Sequence, residues 1–213
     1  MDIGDLRREY LKGGLNREDL ADDPVQQFDR WFEQARNANL TDPNAMTLAT
    51  VSATGQPSQR VVLLKSFDEK GFVFYTNLES TKAQQITQNN KVCLHFAWLP
   101  LDRQVIIAGE AARISAKEAL GYFLSRPRDS QIAAWISDQS RRISSRQILE
   151  QKFAEFKTKH EQEGKLSLPA FWGGYRVKPI QYEFWQGRAN RLHDRFLYTA
   201  SENNSWEINR LAP

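Results

Sequence analysis

The chain has 213 residues, 40% of them hydrophobic and 26% charged, and its formal net charge is only +3. That length supports one ordinary domain with a sizeable core, while the interspersed charges argue against a nucleic-acid-binding stripe and suit small anions instead. No apolar run reaches membrane-spanning length, and a single cysteine, Cys93, leaves no partner for an internal disulfide.

Near the start, Asp2 and Asp5 stand where a secretory leader needs basic and then apolar residues, so a cytoplasmic setting is expected. Residues 1–20 read as a mobile N-terminal arm. It holds a short helix that puts Arg7 and Tyr10 on one face, and a joint at Gly13 and Gly14. A solvated terminal helix is the plainer alternative. Residues 21–213 then read as one domain without repeats or a dividing linker.

Asp23 and Pro24 are a helix start, an N-cap followed by proline at the first helical position. Val25, Phe28, Trp31, Phe32 and Ala35 recur at helical spacing, a core stripe that fades around Asn37. From Ala45 the period becomes two. Residues 45–53 and 58–67 read as paired strands, and a further turn leads to a third strand at 72–76, forming a meander. In the middle strand Arg60 and Lys65 bracket an apolar run with opposite parity. One regular strand cannot aim both into one pocket without a bulge or a site that wraps its end. Otherwise Lys65 is an edge residue.

Ser80 is placed to cap a helix over 81–89, and its free N–H groups beside Lys82 make an anion site. Strands follow at 91–98 and 103–113, with Gln104 opening the second and Gly109 marking a bulge. Ser115 and Glu118 form a capping box for a helix that buries Leu120, Phe123 and Leu124. Pro127 breaks it, and Ser130 lies at the start of the next helix, near Tyr122 and Arg126. Arginine, tyrosine and serine hydroxyls and free N–H groups are what a phosphate monoester needs. A plain helix–helix corner is the other reading. A long helix over 145–163, with Leu149, Phe153 and Phe156 inward, ends at Gly164. Strands at 171–177, 180–186, 195–199 and 206–210 complete the sheet.

Between the last of these lies Arg191-Leu192-His193-Asp194-Arg195. In extended form, Arg191, His193 and Arg195 share one face and repel unless an anionic or electron-rich group lies against them. A solvated charged loop is the alternative. His95, His160 and His193 show no zinc spacing, so no metal is expected. There is no Gly-rich phosphate loop and no serine nucleophile elbow. An enzyme built on this chain would therefore take its chemistry from a cofactor.

Taken together, Glu183-Phe184-Trp185-Gln186, the run 191–195, residues 60–65, Tyr75-Thr76-Asn77-Leu78, residues 125–131, Phe171-Trp172-Gly173-Gly174 and the terminal Arg210-Leu211-Ala212-Pro213 resemble the pyridoxamine 5′-phosphate oxidases. The resemblance covers nearly the whole chain, in order. It implies a mainly β fold with surrounding helices, an FMN-binding split β-barrel, working as a homodimer with flavin at the interface. It implies FMN contacts from Arg60, Val61, Val62, Leu63, Leu64 and Lys65, then from Tyr75, Thr76, Lys82, Gln104, Gln139, Ser140, Trp185 and Arg195. For the substrate it implies Lys65, Tyr122, Arg126 and Ser130 around the phosphate, Arg191 and His193 over the pyridine ring as the catalytic pair, and Arg7 and Tyr10 from a covering arm. Family members carry a basic residue where this chain has Thr81, which removes one charge from the flavin-phosphate site. The implied reaction is the FMN-dependent oxidation of pyridoxamine and pyridoxine 5′-phosphates to pyridoxal 5′-phosphate with oxygen as acceptor. Another split-barrel FMN reductase and a non-catalytic pyridoxal 5′-phosphate carrier are the alternatives.

Overall fold

In the computed structural model, residues 8–162, 164–201 and 205–213 are described, so the expectation for Arg7 lies outside them. Asp23 accepts hydrogen bonds from the N–H groups of Val25 and Gln26, and helix α1 (Pro24–Asn37) follows with Pro24 in its first turn. Its inward stripe meets a dense aromatic core, where Phe28 packs edge-on against Phe67, Phe72 and Phe96 at 4.9–5.0 Å between ring centres. Fully burying a side chain of this size contributes about 2–3 kcal/mol, so this cluster ties α1 to the sheet.

The strands are β1 (Ala45–Val51), β2 (Pro57–Leu63), β3 (Ser66–Asp68), β4 (Gly71–Asn77), β5 (Lys91–Trp98), β6 (Arg103–Arg113), β7 (Trp172–Gln186), β8 (Asp194–Ala200) and β9 (Trp206–Leu211). They form one antiparallel sheet in the order β2-β1-β5-β6-β7-β4-β3, with β8 also on β7 and β9 on β8. β7 is the organising strand. Its first half pairs with β4 and its second half with β8, while β6 runs along its other edge. The sheet forks there, as a curled, divided barrel requires. The separate strands expected at 171–177 and 180–186 are this one strand. Pro179 is tolerated because the β6–β7 register shifts at Ala108/Gly109, opposite it. A Cβ on Gly109 would lie 2.4 Å from the Lys178 carbonyl oxygen, so the bulge requires glycine.

Several expectations are corrected. The strand expected over 58–67 is broken at Leu64 and Lys65, where Leu64 N–H turns to the Asn44 carbonyl and Lys65 N–H to that of Val73. The meander therefore ends at β2. β4 pairs with β7 and β3, on the far side of the sheet. Helix α2 (Thr81–Gln88) starts at Ser80, but that hydroxyl donates back to the Asn77 carbonyl rather than capping. Helix α3 (Ala116–Ser125) buries Ala119 and Phe123, leaving Leu120 and Leu124 exposed, because the helix rests on the sheet by one narrow edge. Helix α4 (Arg128–Ile136) begins directly after Pro127. Helix α5 (Arg146–Lys159) stops well before Gly164 and buries no residue fully, although Phe153 and Phe156 lean on a second small core around Phe123, Ile132 and Trp172. No helix among the described residues is long and apolar enough to cross a membrane.

The arm from Arg8 to Asn16 is not helical, which removes the expected shared helical face of Tyr10; only Arg17–Asp19 form a 3-10 turn. It is strapped down by polar contacts. Arg8 donates to the Leu99 carbonyl, Lys12 to that of Pro100, and Leu15 N–H to the Asp194 carboxylate.

Candidate active site

At the Trp172 end of β7 a cavity of about 630 Å³ opens between β2, β4, α2 and the start of α4. Arg60, Val61, Val62, Leu63 and Lys65 line one wall, and Tyr75, Thr76, Lys82, Tyr122, Arg126, Ser130 and Gln139 the others. The chain break after Leu63 resolves the parity conflict. Arg60 is on the strand and Lys65 beyond its end, so both reach one space. Leu64 does not line it: its side chain is in the core and Asn44 occupies both its backbone polar groups.

The cavity's charge is lopsided. Arg60 is held by Leu48 O, Thr50 Oγ1 and Ser58 Oγ, and burial lowers its pKa. Lys82 Nζ donates to Gln139 Oε1 at 2.6 Å and Thr76 Oγ1 at 3.2 Å. Burial and then the nearby Arg60 charge bring Lys82 down to about 8. A half-buried and a buried cation with only neutral partners call for an anion. Ser140, in a left-handed conformation at φ 71°, accepts from Thr81 N–H at the α2 N-terminus beside them. Across the cavity, the rings of Tyr75, Tyr122 and Trp172 form a near-parallel cluster, with centres 3.9 Å (Tyr75–Tyr122), 5.3 Å (Tyr75–Trp172) and 6.1 Å (Tyr122–Trp172) apart. Lys65 Nζ stands over Tyr122 and the Arg126 guanidinium over Trp172. Arg126 Nη1 is buried without a hydrogen-bond partner among the described residues, and burial lowers the group's pKa. An unsatisfied buried guanidinium donor is costly unless a ligand completes it. The residues fit two anionic groups, a flavin phosphate near Arg60 and Lys82 and a phosphate monoester near Arg126 and Ser130.

The remaining predicted site residues are elsewhere. Gln104, Trp185 and Arg195 are register partners across β6, β7 and β8, so they form one row on one face of the sheet. They lie at the Gln186 end of β7, about 40 Å of extended strand from Gly173. His193 is beside them, its ring 4.7 Å from that of Trp185, with Tyr10 edge-on to both at 5.3–5.6 Å. Gly187 makes room for Tyr10, since a Cβ there would sit 2.6 Å from its ring.

The expected alternation of Arg191, His193 and Arg195 does not hold. Ala189–Arg191 form a 3-10 turn in which Asn190 and Arg191 adopt φ of 56° and 60°, and β8 begins only at Asp194. Arg191 is exposed, His193 is half-covered, and Arg195 is held by Glu183 at 2.8 Å, the bond that raises its pKa. His193 Nδ1 accepts the Arg188 N–H at 3.1 Å, which leaves Nε2 as the protonated nitrogen of the neutral ring. Asp194 is structural. Burial pushes its carboxyl up, but bonds from Leu15 N–H, Arg210 and Arg188 outweigh that and hold it below the usual range.

Sequence reasoning missed three pairings. Arg8 and Asp102 pair at 2.7 Å and fasten the arm over Tyr10, and His95 Nε2 meets Gln104 Oε1 at 3.0 Å. Glu183 was visible in the motif, but not as the partner of Arg195. All are long-range or cross-strand pairs that become visible only once register is known.

Comparison with known proteins completes the picture. Residues 32–160 match the family profile described as pyridoxamine 5′-phosphate oxidase, and residues 172–213 match the pyridoxine 5′-phosphate oxidase C-terminal dimerisation region. Curated relatives named pyridoxine/pyridoxamine 5′-phosphate oxidase include one from Crocosphaera subtropica, 61% identical, and one from Hahella chejuensis, 60% identical, each covering 100% of both chains. Among solved structures, PhzG from Burkholderia lata 383, in complex with tetrahydrophenazine-1-carboxylic acid, matches with a TM-score of 0.86 at 28% identity over 92% of this chain and 95% of its own. An FMN-binding, pyridoxamine 5′-phosphate oxidase-related protein from Nostoc punctiforme shares the fold, with a TM-score of 0.71 at 18% identity over 91% of this chain and 100% of its own. With its forked antiparallel sheet, anion-seeking cavity and C-terminal dimerisation region, this chain belongs to the pyridoxamine 5′-phosphate oxidase family of FMN-dependent split-barrel oxidoreductases.

Proposed function

We propose that the protein oxidises pyridoxamine 5′-phosphate and pyridoxine 5′-phosphate to pyridoxal 5′-phosphate in the cytoplasm. The amine plus oxygen and water gives the aldehyde, ammonia and hydrogen peroxide; the alcohol plus oxygen gives the aldehyde and peroxide. Bound FMN supplies the two-electron acceptor. The observation that carries this reading is the buried Arg126 Nη1, without a hydrogen-bond partner among the described residues, beside Lys65, Tyr122 and Ser130 in the same cavity as the Arg60–Lys82 pair.

The chain's own part is positioning and charge. Arg60 and Lys82 hold the flavin phosphate, with Thr76 and Gln139 fixing the Lys82 ammonium. Arg126, Lys65 and the Ser130 and Tyr122 hydroxyls hold the substrate phosphate. The Gln104, Trp185 and Arg195 row meets the flavin from a second copy of the chain, because one copy keeps the row and the cavity at opposite ends of β7. This puts the active site at the dimer interface. His193 presents Nε2–H to the substrate as a donor. The Arg188 N–H on Nδ1 holds the ring in the orientation that presents this donor. Arg191 is exposed in the single chain and free to close on the pyridine ring. Of the described residues, 8–20 act as an arm over the site on the domain formed by 21–213.

Anaerobic addition of pyridoxamine 5′-phosphate to the holoenzyme should bleach the flavin absorbance, and readmitted oxygen should restore it with one peroxide per aldehyde. Persistent flavin colour would refute the oxidase reading, and aldehyde binding without turnover would indicate a carrier.

A further inference from the structure

Two adjacent rows cross the half-covered face of the sheet. One holds Gln104, Trp185 and Arg195; the other, two residues back along the strands, holds His95, Ile106 and Glu183 in register. The opposite face is core, with Phe96, Val105, Ile107 and Phe184 fully buried. Each polar end of the first row is tied to the second row: Arg195 to Glu183 at 2.8 Å and Gln104 to His95 at 3.0 Å. A strand position between Thr47 and Ile106 is ordinarily filled by a β-branched residue; here it carries an imidazole whose ring nitrogen touches the Gln104 amide.

That contact fixes an orientation. Gln104 Oε1 only accepts, so His95 Nε2 must carry the proton and donate. The Gln104 NH2 group is then the part left for a ligand, and it only donates. Without the imidazole the amide can turn over and present its oxygen, which repels an acceptor. We propose that His95 is a positioning residue which locks the Gln104 amide so that its NH2 group faces acceptor atoms of the flavin ring. This rests on the reading of Gln104 as a flavin contact. A fixed donor at the ring stabilises the negative charge gained on reduction, so His95 sets both flavin affinity and flavin potential through Gln104.

The test uses holoenzyme and two readouts, the FMN dissociation constant by flavin fluorescence and the midpoint potential by anaerobic dye equilibration. His95→Leu is expected to weaken FMN binding by about threefold to tenfold, the value of one hydrogen bond. It should also move the potential to more negative values, toward that of Gln104→Ala. His95→Asn keeps a donor amide and should recover part of both. Adding His95→Leu to Gln104→Ala should change nothing further. His95→Thr gives the same reading if leucine is not tolerated on this face. If His95→Leu and His95→Thr match the wild type while Gln104→Ala shifts both readouts, His95 is not a positioning residue. If Gln104→Ala is also silent, Gln104 is not a flavin contact and the inference falls with it. Failure of the whole chain to take up FMN would instead overturn the proposed function.

Discussion

Asp102 offers the sharpest test of how the arm is held. It follows the 3-10 turn Leu99–Leu101 in a left-handed conformation at φ 55°, and its side chain is only 2% exposed. Arg8 forms an ion pair with Oδ1 at 2.7 Å, and no hydrogen-bond partner satisfies that atom among the described residues. A buried carboxylate thus depends on a cation from the arm. Asn has the same shape, tolerates the left-handed conformation, and leaves the backbone carbonyl free to accept from Gly187 N–H as it does now. Asp102→Asn therefore removes the charge with the shape kept, at the cost of turning one acceptor oxygen into an NH2 donor.

Because Arg8 is half-exposed, the attraction lost is discounted to about 1–1.5 kcal/mol, equivalent to a fivefold to tenfold shift in arm docking. The bonds from Lys12 to Pro100 and from Leu15 to Asp194 remain, so the arm loosens without detaching. Trypsin cleavage after Lys12 reads this out, because cleavage follows the open population when reclosing is fast. Cleavage in the exposed Arg141-Arg142 segment serves as the internal control. The expected result is a fivefold to tenfold faster cut at Lys12, an unchanged cut at the control and a Tm that holds or rises, since a buried charge has gone. An unchanged rate at Lys12, or an equal rise at both places, would refute the latch.

Four further outcomes are expected. FMN affinity should be flat below pH 8 and fall above it: Lys82 has a pKa of about 8, its ammonium favours the phosphate, and each step upward removes that proton from the free protein; a pH series of FMN titrations that stays level to pH 10 would contradict the assignment. Arg126→Met should raise KM for phosphorylated substrate more than tenfold with little change in kcat, while Tm holds, because the substitution removes an unsatisfied buried donor. Gly109→Ala should lower stability by about 1–3 kcal/mol in urea unfolding, through the clash with Lys178 O and the Val177 side chain. Arg126→Met and His193→Ala proteins, each impaired, should regain up to about a quarter of wild-type activity after mixed refolding, since half the dimers are hybrid and each hybrid holds one intact site; no recovery would place both residues in one protomer's site.

What the sequence made legible was local and periodic. The start of α1, the bounds of β5 and β6 and the bulge at Gly109 follow from caps, proline, alternation and one glycine, all acting within a few residues. The conflict between Arg60 and Lys65 was also legible, and the break at Leu64 and Lys65 is its solution. The break itself was not, because Val61, Val62, Leu63 and Leu64 form an unbroken β-favouring run. What stops the strand is competition from elsewhere: Asn44 takes Leu64, and Val73 takes Lys65. The same holds at Arg191. Its alternation with His193 and Arg195 was a property of an ideal strand, and the bond from Arg188 N–H to the His193 ring closes a turn instead.

The long strand β7 explains why the candidate site looked scattered in the chain and remains divided in the fold. Gly173 and Gly174 pack where side chains would strike Leu78, Phe74 and Tyr75, so this end of β7 lies close against the cavity wall. At the other end Trp185 is flanked by Gln104 and Arg195 on a half-covered face, with Tyr10 and His193 against the indole and the packed core on the opposite side. A sheet face bearing a tryptophan, a braced arginine and a braced amide is too polar for a core and too ordered for plain solvent contact. A second copy of the chain, laid so that its cavity meets this face, satisfies both ends at once. On the proposed function, one protomer's anion-binding residues and its partner's row would together form a single flavin site, and the dyad would make two.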